Sequence, residues 1–509
     1  MQTKTGPAQT VANKTRASTG IAGLNDILGG GLTPSRVYLV EGTPGTGKTT
    51  LALQFLLEGA KQGEKGLYIT LSETAEELAS VAESHGWMLD SISVYELIND
   101  MNLDPDGEQS ILYPSEIELG ETTQSVMQQV DQQAPVRIVF DSLSEMRLLA
   151  QNPLRYRRQI LALKHYFASR KCTVLLLDDK TSESGDQQLH SIAHGVISLE
   201  QAAHEFGPER RRMRVIKMRG LKFRGGYHDF ILGTGGLQVF PRLVAAEHGR
   251  AFAVDMHSTG SAGLDRLLGG GLVPGTSFLV CGPSGIGKTT TAMRCALTAM
   301  QRGDRVAYYL FDEGMSTFML RSRTLGMDMQ PYIDNGLLVI HHIDPAEVAP
   351  GEFSHMLRTA VEKNHAKLVV IDSLNAYLQA MPGEKFLILQ MHEILSYLNQ
   401  QGITTVLVLG QHGVIGDVHV DVDLSYLSDA TMFLRFFEAA GQIRTAMFVI
   451  KSRTNNHQRT LHEFRITADG GIQVGDALEN FEGILTGLPT YRGGTAMMQV
   501  ADDGENDGQ

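Results

Sequence analysis

Ser18-Thr-Gly-Ile-Ala-Gly-Leu-Asn-Asp-Ile-Leu-Gly-Gly-Gly-Leu32 is followed by an apolar run and then by Gly42-Thr-Pro-Gly-Thr-Gly-Lys48-Thr49. The same arrangement returns later in the chain. Ser258-Thr-Gly-Ser-Ala-Gly-Leu-Asp-Arg-Leu-Leu-Gly-Gly-Gly-Leu272 leads through an apolar run to Gly282-Pro-Ser-Gly-Ile-Gly-Lys288-Thr289. Roughly 20 of about 33 positions agree between the two windows, which marks an internal duplication. Each loop follows a short apolar run (Val37-Tyr-Leu-Val40; Phe278-Leu-Val280) and precedes a helical pattern starting at Thr50 or Thr290. Strand, glycine-rich turn and helix are the context a phosphate loop requires, because its backbone N–H groups must converge on phosphate oxygens at the positive end of the helix.

The predicted nucleotide-binding residues are therefore Gly42, Thr43, Pro44, Gly45, Thr46, Gly47, Lys48, Thr49 and Thr50 in the first lobe. In the second they are Gly282, Pro283, Ser284, Gly285, Ile286, Gly287, Lys288, Thr289 and Thr290. Lys48 and Lys288 reach the β- and γ-phosphates, and the Thr49 and Thr289 hydroxyls are placed for Mg²⁺. ATP and Mg²⁺ are the expected cofactors.

A chain of 509 residues with this duplication divides into two lobes with full-sized cores. The expected boundaries are a flexible N-terminus at 1–15, a first domain at 16–247, a second at 248–490 and a disordered acidic tail at 491–509. Short apolar runs alternate with amphipathic stretches within each lobe. Examples are Gly66–Leu71, Val136–Phe140 and Cys172–Leu177, and then Val306–Phe311, Lys367–Ile371 and Ile403–Leu409. This pattern predicts an α/β fold with mainly parallel central sheets covered by helices on both faces. Strands at hairpin spacing end each lobe: Gly195–Leu199 with Met213–Lys217, and Ala430–Leu434 with Thr445–Ile450.

The net charge of −13 argues against a surface devoted to nucleic acid or anionic lipid. Cys172, Cys281 and Cys295 show neither metal-ligand spacing nor a disulfide framework, which fits a reduced, cytoplasmic setting. No apolar run approaches membrane-spanning length, and the N-terminal segment lacks an apolar signal core.

Two strand ends offer a metal-binding carboxylate: Ile138-Val-Phe-Asp141 and Val369-Val-Ile-Asp372. Between loop and Asp, a further strand in each lobe ends in acid, at Ser72-Glu73 and Asp312-Glu313. Glu73, Asp312 and Glu313 are the candidate catalytic acids, able to orient or deprotonate a nucleophile. The alternative for Ser72–Glu76 is a helix N-terminus. Near each lobe's end stands a Lys-x-Arg, at Lys217-Met218-Arg219 and Lys451-Ser452-Arg453. On an edge strand these cations suit a neighbouring subunit's γ-phosphate, or else guard the edge against strand pairing. The run Arg210-Arg-Arg-Met-Arg214 reads as a hairpin tip or subunit contact rather than a nucleic-acid patch.

These residues resemble the KaiC family, double-domain ATPases of the RecA superfamily. The resemblance covers roughly residues 15–490. It rests on the repeated Ser-Thr-Gly…Gly-Gly-Gly-Leu segment, both phosphate loops, both Asp-Ser strand ends, Glu209–Gly220 and Asn480-Phe-Glu-Gly-Ile-Leu-Thr-Gly-Leu-Pro489. It implies tandem RecA-like domains in a homohexamer of two stacked rings, with nucleotide at subunit interfaces. The first lobe is then mainly an ATPase, and the second phosphorylates its own chain. KaiB-like or other signalling proteins are the implied partners, with neither nucleic acid nor membrane favoured. Asp312 and Glu313 sit where the family has two glutamates, and Ser72 and Glu73 match the first lobe's pair. Lys217, Arg219, Lys451, Arg453, His457 and Arg459 match trans-acting interface residues.

The family's phosphorylated Ser-Thr pair falls at Ser425-Tyr426, so a two-site cycle is not available. Ser425 is the expected phosphosite, with Ser428 a lesser candidate. Two other readings share the fold: a RecA/RadA-like DNA-dependent ATPase, and a nucleotide-glued scaffold without kinase activity.

Overall fold

Continuous apolar runs in both halves become the inner strands of two α/β sheets. The computed structural model describes residues 16–97, 114–150, 152–180, 187–203, 207–379, 387–411, 427–468, 470–485 and 489–492. The chain divides into two compact units, Met1–Arg242 and Leu243–Gln509. The division falls a few residues before the sequence-based boundary, because Leu243 and Ala245 are buried in the core of the second unit.

In the first unit the strands are β1 (Val37–Gly42), β2 (Gly66–Thr70), β3 (Ile92–Glu96), β4 (Arg137–Asp141), β5 (Thr173–Asp179), β6 (Gly195–Ala202), β7 (Arg210–Met218), β8 (His228–Gly233) and β9 (Gly236–Phe240). They form one sheet in the order β3-β2-β4-β5-β1-β6-β7-β8-β9. Pairing is parallel from β3 to β6 and antiparallel from β6 to β9.

The second unit repeats this with β10 (Ser277–Gly282), β11 (Val306–Leu310), β12 (Leu338–His342), β13 (Leu368–Asp372), β14 (Thr404–Gly410), β15 (Ala430–Ala439), β16 (Gln442–Ser452), β17 (His462–Ile466) and β18 (Ile472–Ala477). Their order is β12-β11-β13-β14-β10-β15-β16-β17-β18. These are two tandem RecA-like α/β domains. The inner strands β1, β2, β4, β10, β11 and β13 are buried along their whole length, as a sheet covered on both faces requires.

The phosphate-loop helices, Lys48–Lys61 and Lys288–Gln301, start directly after their loops. The turn into each depends on a left-handed glycine, Gly47 at φ 95° and Gly287 at φ 105°. A Cβ at Gly287 would also lie 2.5 Å from Ile466 Cδ1, so that side chain would have to shift as well.

The first lobe is pinned by a buried cation. Arg137, the first residue of β4, is 1% exposed. Its guanidinium donates to Glu64 (2.5 Å), to the Ser18 carbonyl (2.7 Å) and to the Phe55 carbonyl (2.8 Å), and lies over the Phe55 ring. One side chain thus ties the Ser-Thr-Gly segment to the phosphate-loop helix and the sheet. Gly59 makes room for it, since a Cβ there would sit 2.5 Å from Arg137 Cδ.

Two expectations need correction. The strands carrying Lys-x-Arg are not sheet edges: β7 lies between β6 and β8, and β16 between β15 and β17. Pairing of β7 with β8 covers only Arg211–Met213, so the Lys217 end is open on that side alone. At the C-terminus, Tyr491 pairs with Phe481 and Arg492 forms an ion pair with Glu482 at 2.9 Å, although both fall in the expected tail. The N-terminus before Arg16 and the chain after Arg492 lie outside the described residues.

Truncating Arg137 removes its bonds to Glu64 and to the Ser18 and Phe55 carbonyls. We expect Arg137→Ala to cost the first unit roughly 3 kcal/mol, since a hydrogen bond made by a charged group contributes about 1.5–3 kcal/mol. Chemical denaturation followed by circular dichroism checks this, and a loss within about 0.5 kcal/mol would remove the pinning role.

Candidate nucleotide sites

Both metal-binding candidates end the strand next to β2 or β11. Asp141 pairs with Thr70 and Asp372 with Leu310, and β4 and β13 run parallel to the loop strands with one strand between, so each carboxylate ends at the rim where its phosphate loop leaves. In the second lobe the Thr289 hydroxyl lies 3.3 Å from Asp372 Oδ1. Both carboxylates are buried, at 6% and 5% exposure. Burial raises the pKa of Asp141 and lifts that of Asp372 to about 6, and a tyrosine hydroxyl opposes the shift in each case. Those tyrosines were not singled out in the sequence. Tyr68 donates to Asp141 Oδ2 at 2.5 Å, and Tyr308 to Asp372 Oδ2 at 2.9 Å.

The loop lysines are held differently in the two lobes. Lys48 donates to the Gly42 and Thr43 carbonyls (2.9 and 3.1 Å) and forms an ion pair with Asp179 at 2.7 Å. Asp179 ends β5 directly opposite Gly42. The equivalent register position in the second lobe, opposite Gly282, is Gly410. Lys288 accordingly donates to the Pro283 carbonyl at 2.7 Å.

The candidate acids also diverge. The helix that follows β2 is capped by Thr74 in a capping box with Glu77, so Glu73 is not its cap. One Glu73 carboxylate oxygen is buried without a partner. Burial, then the charges of Asp141 and Glu77, raise its pKa to about 7. In the second lobe both acids are engaged: Ser373 Oγ donates to Asp312, and Arg321 pairs with Glu313 at 2.5 Å. Lys288, Thr289, Asp312, Glu313, Arg321 and Asp372 all line one cavity of about 640 Å³. Arg321 sits on the helix Met315–Thr324, and the matched position of the first lobe's helix, Ala75–Ser84, is Val81. A cation in the last turn of that helix carries no motif in the sequence.

The Lys-x-Arg cations lie at the opposite end of their own sheets. Lys217 donates to the His190 and Ala193 carbonyls, and Arg219 to the Ser191 carbonyl at 2.7 Å. Lys451 donates to the Ser428 carbonyl at 2.6 Å, and Arg453 lies 3.6 Å from Asp429. Asp429 in turn bonds to Ser277, at the start of β10. Met218 is buried and Ser452 half-buried. His457 is half-buried with an unpartnered Nε2, and Arg459 is exposed. Ser428 is fully enclosed and its hydroxyl pairs with Thr431 at 2.7 Å, so it is not presented as a phosphate acceptor in this conformation. Ser425 and Tyr426 lie outside the described residues. In the basic run, Arg211 pairs with Glu209, while Arg212 and Arg214 stack over Tyr227.

A family model described as the KaiC ATPase matches residues 17–244 and again 257–479, once per lobe. The chain belongs to the KaiC ATPase family. Among its relatives is the circadian clock oscillator protein KaiC of Prochlorococcus marinus (strain MIT 9313). It is 26% identical over 483 residues, covering 92% of this chain and 95% of that protein. The KaiC proteins of Thermostichus vulcanus (26% identical, covering 95% of this chain and 93% of that protein) and Synechococcus elongatus (25%, covering 92% and 91%) are similar over comparable lengths. Among the described residues no helix is long and apolar enough to cross a membrane.

The Lys48–Asp179 pair competes with phosphate for the lysine. We expect Asp179→Asn to tighten nucleotide binding by the first lobe about fivefold, roughly 1 kcal/mol, and to leave the second lobe unchanged. Calorimetric titration with ATP checks this, and weaker binding would show that Asp179 serves the bound state instead.

Proposed function

We propose that the chain is a ring-forming ATPase, a cytoplasmic signalling scaffold whose second lobe also transfers phosphate to a serine of a neighbouring copy. The observation that carries this reading is the placement of Lys451 and Arg453. They gather with Ser428 and Asp429 at the amino end of β10, whereas the phosphate loop leaves its carboxyl end. Six residues of strand separate the two, about 16 Å at the usual rise. Neither cation reaches the phosphate of its own loop, so the cluster makes chemical sense facing the loop of an adjacent copy. The same holds for Lys217 and Arg219 in the first lobe. The family of clock ATPases supports nucleotide binding in both.

The residues fit Mg-ATP. Thr289 and Asp372 present two oxygens side by side, with Lys288 in the same cavity, which suits an ion bound by few protein ligands and by phosphate. Bound there, magnesium would neutralise charge developing on the phosphoryl oxygens. Within the chain, Lys48 and Lys288 bind phosphate, Thr49, Asp141, Thr289 and Asp372 hold the metal side, and Glu73 accepts a proton from water. Glu313, with Asp312 beside it, accepts the proton of a serine hydroxyl supplied in trans. As that hydroxyl oxygen bonds to the γ-phosphorus, the bond to the β-bridging oxygen breaks and ADP leaves. Ser425 is the proposed acceptor. The net negative charge and the engagement of Arg210–Arg214 within their own hairpin favour this reading over a DNA-dependent one.

Intact-mass measurement after incubation with Mg-ATP tests the transfer. One added phosphate is expected, lost in Ser425→Ala and in Lys288→Ala but retained in Lys48→Ala rings. No added mass leaves the nucleotide-glued scaffold, and phosphate on Tyr426 contradicts the acceptor.

The acids give a pH signature. A base acts when deprotonated, and Glu73 loses its proton at about pH 7. First-lobe hydrolysis, measured in Lys288→Ala, is expected to rise as pH increases through 7, and Glu73→Gln is expected to abolish the reaction. A flat profile between pH 6 and 8 would exclude Glu73 as the base.

A further inference from the structure

We propose that Tyr68 and Tyr308 are positioning residues for the metal side of the two nucleotide sites, each anchoring one oxygen of the Asp so that the other faces the ion. This inference rests on the nucleotide-site reading above and extends it to residues outside every motif of the sequence.

The placement follows from the sheet register. Tyr68 pairs with Val139 and Tyr308 with Val370, each two residues before the Asp on the neighbouring parallel strand. Residues two apart share a face of the sheet, so each phenol lies along that face toward the Asp carboxylate. Both rings are fully buried on the face that packs against the phosphate-loop helix. Each phenol can serve its Asp only as a hydrogen-bond donor, since the carboxylate oxygen accepts. Each bonds to Oδ2 of its Asp. In the second lobe this leaves Oδ1 toward the Thr289 hydroxyl, 3.3 Å away. The same device built twice, in lobes that differ at Asp179 and Arg321, argues for a shared task and not for incidental core filling.

A ligand carboxylate fixed by a donor is pre-organised, and loss of such an outer partner typically weakens metal binding tenfold or more. The test titrates Mg²⁺ against full-length chain and a fluorescent ATP analogue, comparing wild type with Tyr68→Phe, Tyr308→Phe and the double variant. Phenylalanine keeps the ring and removes only the donor. The double variant is expected to need roughly tenfold more Mg²⁺ for half-maximal binding, with binding in EDTA and the melting temperature close to wild type. Each single variant is expected to shift half of the binding amplitude. An unshifted Mg²⁺ requirement in folded variants overturns the inference, as does an equal loss of binding with and without Mg²⁺, which would mean packing alone. If the double variant unfolds, the single variants carry the decision. A wild-type chain that binds no analogue at any Mg²⁺ concentration overturns instead the nucleotide-site reading on which the role depends.

Discussion

The length of one β-strand governs the arrangement of both lobes. A phosphate loop must leave the carboxyl end of its strand, where the following helix can point its free N–H groups at phosphate. β1 and β10 obey this, and the acids end at the same rim because β4 and β13 run parallel to them, one strand away across β5 and β14. The antiparallel return from β6 to β7, and from β15 to β16, carries Lys217 and Lys451 back to the amino end. Parallel pairing first and antiparallel pairing second therefore split the charged groups of each lobe between two opposite rims. Within a single lobe the Lys-x-Arg cations therefore stand away from the phosphate loop of the same lobe.

Within that common plan the two sites rest differently. In the first lobe the loop lysine is clamped by Asp179 while Glu73 keeps a buried, unpartnered oxygen. In the second, Gly410 removes the clamp and Arg321 holds Glu313. The duplicated scaffold thus offers one site with a restrained lysine and one with a restrained base.

Much of the plan was legible in the sequence because phosphate chemistry leaves little freedom. The glycines, Lys48, Lys288, Asp141 and Asp372 stand at spacings fixed by the strand–loop–helix turn, and inner strands buried on both faces appear as unbroken apolar runs. The outer strands were not legible. β3 reads Ile92-Ser-Val-Tyr-Glu96 and is only partly buried, so it carries no such run. The Lys-x-Arg segments read as edges because charged residues alternate there; their strands are interior, yet pairing with β8 and β17 stops short of these segments and leaves them open on one side. Tyr68, Tyr308, Asp179 and Arg321 were invisible for another reason. Each acts through register between strands, or through one turn of a helix against a cavity, and no local pattern records such a meeting.

The claim that each site is completed by another copy is tested most directly by mixing two inactive chains. One carries Lys48→Ala and Lys288→Ala, and the other carries Ala at Lys217, Arg219, Lys451 and Arg453. In mixed rings half of the loops are intact, and half of those face a copy with its cations. ATP hydrolysis is therefore expected to recover to about a quarter of the wild-type rate, although each chain alone is nearly inactive. Full activity of the cation-less chain by itself, or no recovery in rings shown by mass to contain both chains, would contradict a site shared between copies.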